Sequence, residues 1–222
     1  MWRDFPDRMA SATGCGALVY SRMGYGASEP VRGPRPVRFM HDEALDVLPA
    51  VIERFKLKEV VLFGHSDGAS VAIIYAGALL APIRALVLEA PHVFVEPICI
   101  ESITRIARAY ETTRLRERLA RYHLGNTDSM FRTWTGVWLR PEFRQWNIEE
   151  YLPAIESPVL VVQGEDDKYG TVRQVDAIVM QVSGPAKALV LAHCGHSPHS
   201  DQPDEVLQAA SRFVRQALDV GR

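Results

Sequence analysis

The sequence predicts an α/β protein, a mostly parallel sheet flanked by helices, with a helical segment inserted between two of its strands. Three observations predict it. Short unbroken apolar runs rich in β-branched residues alternate with longer stretches whose apolar residues recur at helical spacing. One such run, residues 60–63, leads through Gly64-His65-Ser66-Asp67-Gly68 into a helix of small and apolar residues. Strand, tight turn and helix in that order are the context in which Gly-x-Ser-x-Gly has chemical meaning. The alternation then stops between residues 92 and 151 and resumes at Pro158.

Each element has its own local signal. Residues 2–12 read as a short helix closed by Thr13-Gly14, a glycine stop. Ala17, Leu18, Val19 and Tyr20 read as a strand, followed by a glycine-rich loop over residues 21–28. Gly24 and Gly26 do not make a dinucleotide cradle, because Glu29 stands where the third glycine of Gly-x-Gly-x-x-Gly belongs and no helix opens there. Residues 29–38 carry three prolines and read as loop. Ala44, Leu45, Val47, Leu48, Val51, Ile52 and Phe55 mark an amphipathic helix over residues 41–55, despite Pro49.

Beyond the serine motif, residues 85–88 form another buried strand ending at Glu89-Ala90-Pro91-His92. Ile98, Ile103, Ile106, Tyr110, Leu115, Leu119 and Tyr122 then trace amphipathic helices with a charged outer face. Trp134, Trp138 and Trp146, with Phe131, Phe143 and Tyr151, make the rest of this segment aromatic. The expected organisation is a core of residues 1–91 and 152–222 and a helical cap of residues 92–151 that walls a substrate pocket, with Trp134, Trp138 and His65 as pocket residues. In the last part residues 159–162 and 188–191 read as strands, and 172–182 and 203–218 as helices.

Composition narrows the function. In 222 residues, 47% hydrophobic and 23% charged, a net charge of −2 nominates no nucleic-acid partner and leaves a small molecule as the expected one. Cys15, Cys99 and Cys194 are too few and too scattered for a disulfide framework. With no apolar run near eighteen residues and no leader pattern, the reading is cytoplasmic, without a membrane partner.

A serine hydroxyl is a weak nucleophile at neutral pH and needs a base, which in turn needs an acid to orient it. Gly164-Glu165-Asp166-Asp167 follows one late strand and His193-Cys194-Gly195-His196 the next, so the chemistry falls at strand ends in the order serine, acid, histidine. Asp166, Asp167 and Glu89 all stand where an acid is useful. His193, His196 and His199 recur every third residue, but without a carboxylate at ligand spacing they are not read as a metal site. Gly64 and Gly68 are both expected to relieve crowding around the strained serine.

These motifs, together with Gly24-Tyr25-Gly26-Ala27-Ser28, resemble the capped, single-domain serine hydrolases of the α/β-hydrolase fold: esterases, aminoester hydrolases and carbon-carbon hydrolases of aromatic degradation. The resemblance spans nearly the whole chain. It implies Ser66 as nucleophile, His196 as base and Asp167 as acid, the position three residues after the loop glycine. It also implies the Asp67 backbone N–H in the oxyanion hole, no cofactor, and a small ester as substrate, to which the aromatic residues of the cap segment add an expected apolar or aromatic acyl group. Carbon-carbon cleavage and a non-catalytic small-molecule receptor are the alternatives. The resemblance also implies strands ahead of residues 2–12. Their apparent lack leads to the expectation of a truncated or misassigned N-terminus; if the 222 residues are the entire protein, strand 17–20 is expected to pair directly with strand 60–63, or another chain to fill the gap in a homo-oligomer.

Overall fold

A computed structural model describes residues 1–219 of the chain. Four parallel strands, β1 (Val61–His65), β2 (Ala85–Glu89), β3 (Val159–Gly164) and β4 (Ala186–Leu191), pair in sequence order. The registers set Phe63 beside Val87, Val87 beside Leu160 and Leu160 beside Lys187. Every residue of β2 and β3 is buried, as expected of central strands covered on both faces.

Side-chain alternation distributes these strands between two cores. Ala85 and Val87 of β2, with Leu160 and Val162 of β3, pack against α1 (Phe5–Thr13) and the closing helix, Pro203–Asp219. Leu86 and Leu88 point to the other face and are equally inaccessible. There α3 (Asp67–Gly77) packs on β1 and β2. Helix α1 ends as its sequence requires, with Gly14 in the left-handed conformation at φ 72° and its N–H bonded to the Ala10 carbonyl. Arg8 pairs with Asp204 and the Arg215 guanidinium donates to the Ala12 carbonyl, joining this helix to the closing one.

The expected helix over 41–55 runs from 39 to 54 and will be called α2. Its middle, Glu43–Val47, is a π turn in which the Leu48 N–H reaches back five residues to the Glu43 carbonyl. Pro49 has no N–H to donate, and the wider turn just ahead of it lets the helix continue through the gap.

The expected strand 17–20 does not form. The segment has no regular structure, and Leu18 and Val19 are exposed. Four apolar residues have strand composition, but composition supplies no ladder partner; among the described residues β1 pairs with β2 alone and is an edge strand.

The chain divides into two compact units. One comprises Met1–Leu18, Met40–Phe94 and the described chain from Asn147; the other comprises Val19–Phe39 and Val95–Trp146. The first contains the sheet. The second holds α4 (Pro97–Thr112), α5 (Leu115–His123) and α6 (Thr127–Trp138). Placing residues 19–39 in the core, as their position in the chain suggested, therefore needs correction. The Asn126 amide donates to the carbonyls of Gly26 and Ser28, and the Gly26 N–H donates to the His123 ring. Those bonds fasten the glycine-rich loop to the helical unit. The remaining α-helices among the described residues are α7 (Val172–Gln181), α8 (Pro198–Asp201) and α9 (Pro203–Asp219), of which α8 had no sequence signal.

Candidate active site

Ser66 lies between β1 and α3 with φ 54° and ψ −123°, a conformation costly for a residue with a side chain. Its N–H donates to the Glu89 carbonyl at 2.9 Å and its own carbonyl accepts the Ala69 N–H at 2.8 Å, so sheet and helix together hold the turn. The two flanking glycines have different reasons. A Cβ on Gly64 would run into the Gly68 carbonyl and come within 2.6 Å of the Ala69 Cα, so only glycine fits. A Cβ on Gly68 would meet nothing beyond its own helix, contrary to the expected relief of crowding there.

The acid and base loops are joined past the ends of their strands. Glu165 N–H donates to the Leu191 carbonyl and Asp166 N–H to the Cys194 carbonyl, both at 2.9 Å. Gly164 makes this approach possible, because a Cβ there would strike the carbonyls of Cys194 and Gly195. Asp201 accepts the Gly195 N–H at 2.9 Å and steadies the second loop. The result brings Asp167 to His196. Asp166 is exposed, and its part is confined to its backbone N–H.

His196 Nδ1 lies 2.8 and 3.0 Å from the two carboxylate oxygens of Asp167. A carboxylate on that nitrogen holds the hydrogen at Nδ1 and leaves Nε2 as an acceptor, 3.0 Å from the Ser66 hydroxyl. Asp167 also accepts the Tyr169 N–H at 2.8 Å and the Gln163 side-chain N–H at 2.7 Å. Burial alone would raise its pKa, but the bond and charge of His196 and the Tyr169 N–H outweigh burial and hold it below the usual carboxylate range.

Three further histidines surround this set. His65 donates from Nε2 to the His196 carbonyl at 2.6 Å; burial, then the nearby His196, push its pKa down to about 3. His92 is buried with its ring 5.7 Å from that of His196, and burial likewise lowers it to about 3. Both rings are neutral at physiological pH. His199 makes a separate buried pair with Glu89 at 2.6 Å, under the rings of Trp2 and Phe5. Glu89 therefore serves His199, not His196, which removes it as an alternative acid.

Ser66, Asp167, His196, His65 and Asp67 all belong to the first unit; Trp134 and Trp138 belong to the second. Trp138 is enclosed there against Phe143 and Trp146, and Trp134 packs edge-on to Phe131. Trp138 is thus a core residue of the helical unit, not an open pocket wall. Sequence reasoning missed Gln163 and the pairing of Glu89 with His199. The available signal was a polar residue at the end of an otherwise apolar strand run, at positions 89 and 163 alike. His193 is exposed, and the described residues contain no cluster suited to a metal ion.

Serine, aspartate and histidine succeed one another at the carboxyl ends of parallel strands, an order that belongs to hydrolytic enzymes of the α/β class. Residues 1–209 match the alpha/beta hydrolase family, and the chain belongs to it. The serine hydrolase BPHL of Homo sapiens is 26% identical over 203 residues, 89% of this chain and 69% of that protein. Among solved structures, an esterase from Thermogutta terrifontis superposes with a TM-score of 0.70 at 19% identity, covering 97% of this chain and 86% of the other. The proline iminopeptidase of Mycobacterium smegmatis gives 0.72 at 17% identity, covering 99% and 87%. At these identities the structural likeness concerns the fold.

Proposed function

We propose that the protein is a serine hydrolase that cleaves a small carboxylic ester through an acyl-enzyme. The observation carrying this reading is the continuous path from Ser66 Oγ to His196 Nε2 at 3.0 Å and from Nδ1 to Asp167 at 2.8 Å. As Ser66 attacks the carbonyl carbon, its proton passes to Nε2, and the imidazolium is stabilised by the ionised Asp167. The tetrahedral oxyanion forms at the start of α3, where the Asp67 backbone N–H and the helix dipole favour negative charge. His196 then returns the proton to the departing alcohol. Water repeats the sequence on the acyl group and frees Ser66.

The reacting groups lie beside the neutral imidazoles of His65 and His92 and the ionised Asp167. That favours an uncharged ester over an anionic substrate. Intact-mass analysis after exposure to a fluorophosphonate tests the reading. The expected result is one covalent adduct on the wild-type chain and none on Ser66→Ala, with matching circular dichroism. A folded wild type that takes no adduct overturns it.

A further inference from the structure

Charge is divided unevenly between the two units. The helical unit, Val19–Phe39 with Val95–Trp146, carries thirteen arginines, no lysine and seven carboxylates, while the rest of the chain carries twelve basic and twenty acidic residues. One unit is therefore at +6 and the other at −8, a division that the whole-chain charge of −2 conceals. Attraction to an anionic surface falls on the helical unit alone.

Within that unit α5 is a surface helix with no buried residue. Leu115 and Leu119 lean on the cluster of Tyr110, Met130 and Phe131, which fixes the inward side. Arg114, Arg118 and Arg121, spaced four and three apart, share the outward side. Arg116 is neutralised by its two bonds to Asp128 and Arg114 is paired with Glu117, but Arg118 and Arg121 make no ion pair among the described residues. At the end of the helix Tyr122 and Leu124 are 61% and 63% exposed. Met23 is 57% exposed on the loop that Asn126 and His123 fasten to this end. Basic side chains beside an exposed aromatic and two exposed aliphatic side chains match an interface with anionic headgroups above and acyl chains below.

We infer that the helical unit docks on an anionic lipid surface, with Arg114, Arg118 and Arg121 over the headgroups and Tyr122, Leu124 and Met23 entering the interfacial layer. The inference is independent of the chemistry at Ser66. Arginine is suited to this because its guanidinium stays charged and its fork bonds two phosphate oxygens.

Flotation with phosphatidylcholine vesicles, with and without a minor fraction of phosphatidylglycerol, tests it. The intact chain is expected to float with the anionic vesicles and not the neutral ones, and to release as salt shortens the range of the charges. At roughly a fivefold change in partitioning per arginine, the triple variant Arg114→Gln, Arg118→Gln, Arg121→Gln should partition on the order of a hundredfold less. Leu124→Ser should weaken flotation without altering its salt dependence. Circular dichroism and thermal melts of the unbound variants should match wild type, reporting that the fold is intact. Equal partitioning onto neutral vesicles, no flotation with either kind, or full retention by the triple variant would overturn the inference. The second outcome would turn attention to an acidic protein partner.

Discussion

Two buried histidine-carboxylate pairs lie at the carboxyl ends of neighbouring strands, and they differ in every respect that matters to chemistry. Asp167 receives N–H groups from His196, Tyr169 and Gln163, so both its oxygens are occupied and its pKa lies below the usual range. Glu89 receives only His199; its other oxygen has no partner, and burial pushes its pKa up. His196 turns its free nitrogen to Ser66, whereas His199 is closed in by Trp2 and Phe5. Residue type alone does not distinguish the two pairs. The number of donors on the carboxylate and what stands beyond the ring decide which pair can support a passing positive charge.

The largest effect should come from exchanging each carboxylate for its amide. Asp167→Asn removes the charge that steadies the imidazolium and lets the ring adopt the wrong tautomer, lowering kcat on the order of 10⁴-fold. Glu89→Gln keeps an acceptor for His199 and touches no reacting atom, so kcat should stay within about threefold, less than 1 kcal/mol of barrier. Steady-state hydrolysis of a p-nitrophenyl ester measures both. If Glu89→Gln were the more damaging change, the two pairs would have to exchange roles.

Much of the Asp167 pair was legible in the sequence because its spacing is local. A serine between glycines, an acid three residues past a loop glycine and a histidine directly after another glycine can each be read within five positions. The parallel sheet was legible for the same reason, through runs such as 85–88 and 159–162. What the sequence hid was non-local. Whether residues 17–20 become a strand depends on a ladder partner, and whether residues 19–39 join the helical unit depends on Asn126 and His123, about a hundred positions on. The pairing of Glu89 with His199 joins residues 110 positions apart and follows no periodicity. Gly68 shows the opposite error, in which a familiar motif suggested crowding that is absent at that position.

The donor count itself can be tested at Gln163. Its amide nitrogen bonds Asp167 at 2.7 Å and the Gly170 carbonyl at 3.1 Å, while its amide oxygen is buried without a partner. Only the nitrogen can face a carboxylate, so the amide orientation follows from the network. Gln163→Met keeps the volume and removes the donor. A hydrogen bond to a charged group contributes about 1.5–3 kcal/mol, so kcat should fall roughly tenfold or more with KM unchanged. The Asp167 midpoint, followed by carbon NMR, should move up toward the ordinary carboxylate range. An unmoved midpoint would show that Tyr169 and His196 suffice to hold the charge.

The smallest expected effect lies in the stability of the Glu89 pair, and its sign separates the two carboxylates. A group whose folded pKa is raised stabilises the fold below its unfolded pKa and loses that contribution as pH rises through the folded value; Glu89 is such a group. Asp167, held low, is the reverse: its contribution is present above the ordinary carboxylate pKa and lost as pH falls through the folded value. Above the Glu89 midpoint a buried, half-bonded charge therefore counts against the fold, and Glu89→Gln removes it while keeping a bond to His199. A gain of about 1 kcal/mol would raise Tm by roughly 2–4 °C at this chain length. The gain should shrink as pH is lowered toward the usual carboxylate range, where wild-type Glu89 is already neutral. Asp167→Asn should instead lower Tm near neutrality, because three N–H groups then share an amide where they had a carboxylate. Thermal melts of both variants across this pH range test the comparison: shifts of the same sign would mean that burial and bonding act on the two carboxylates alike.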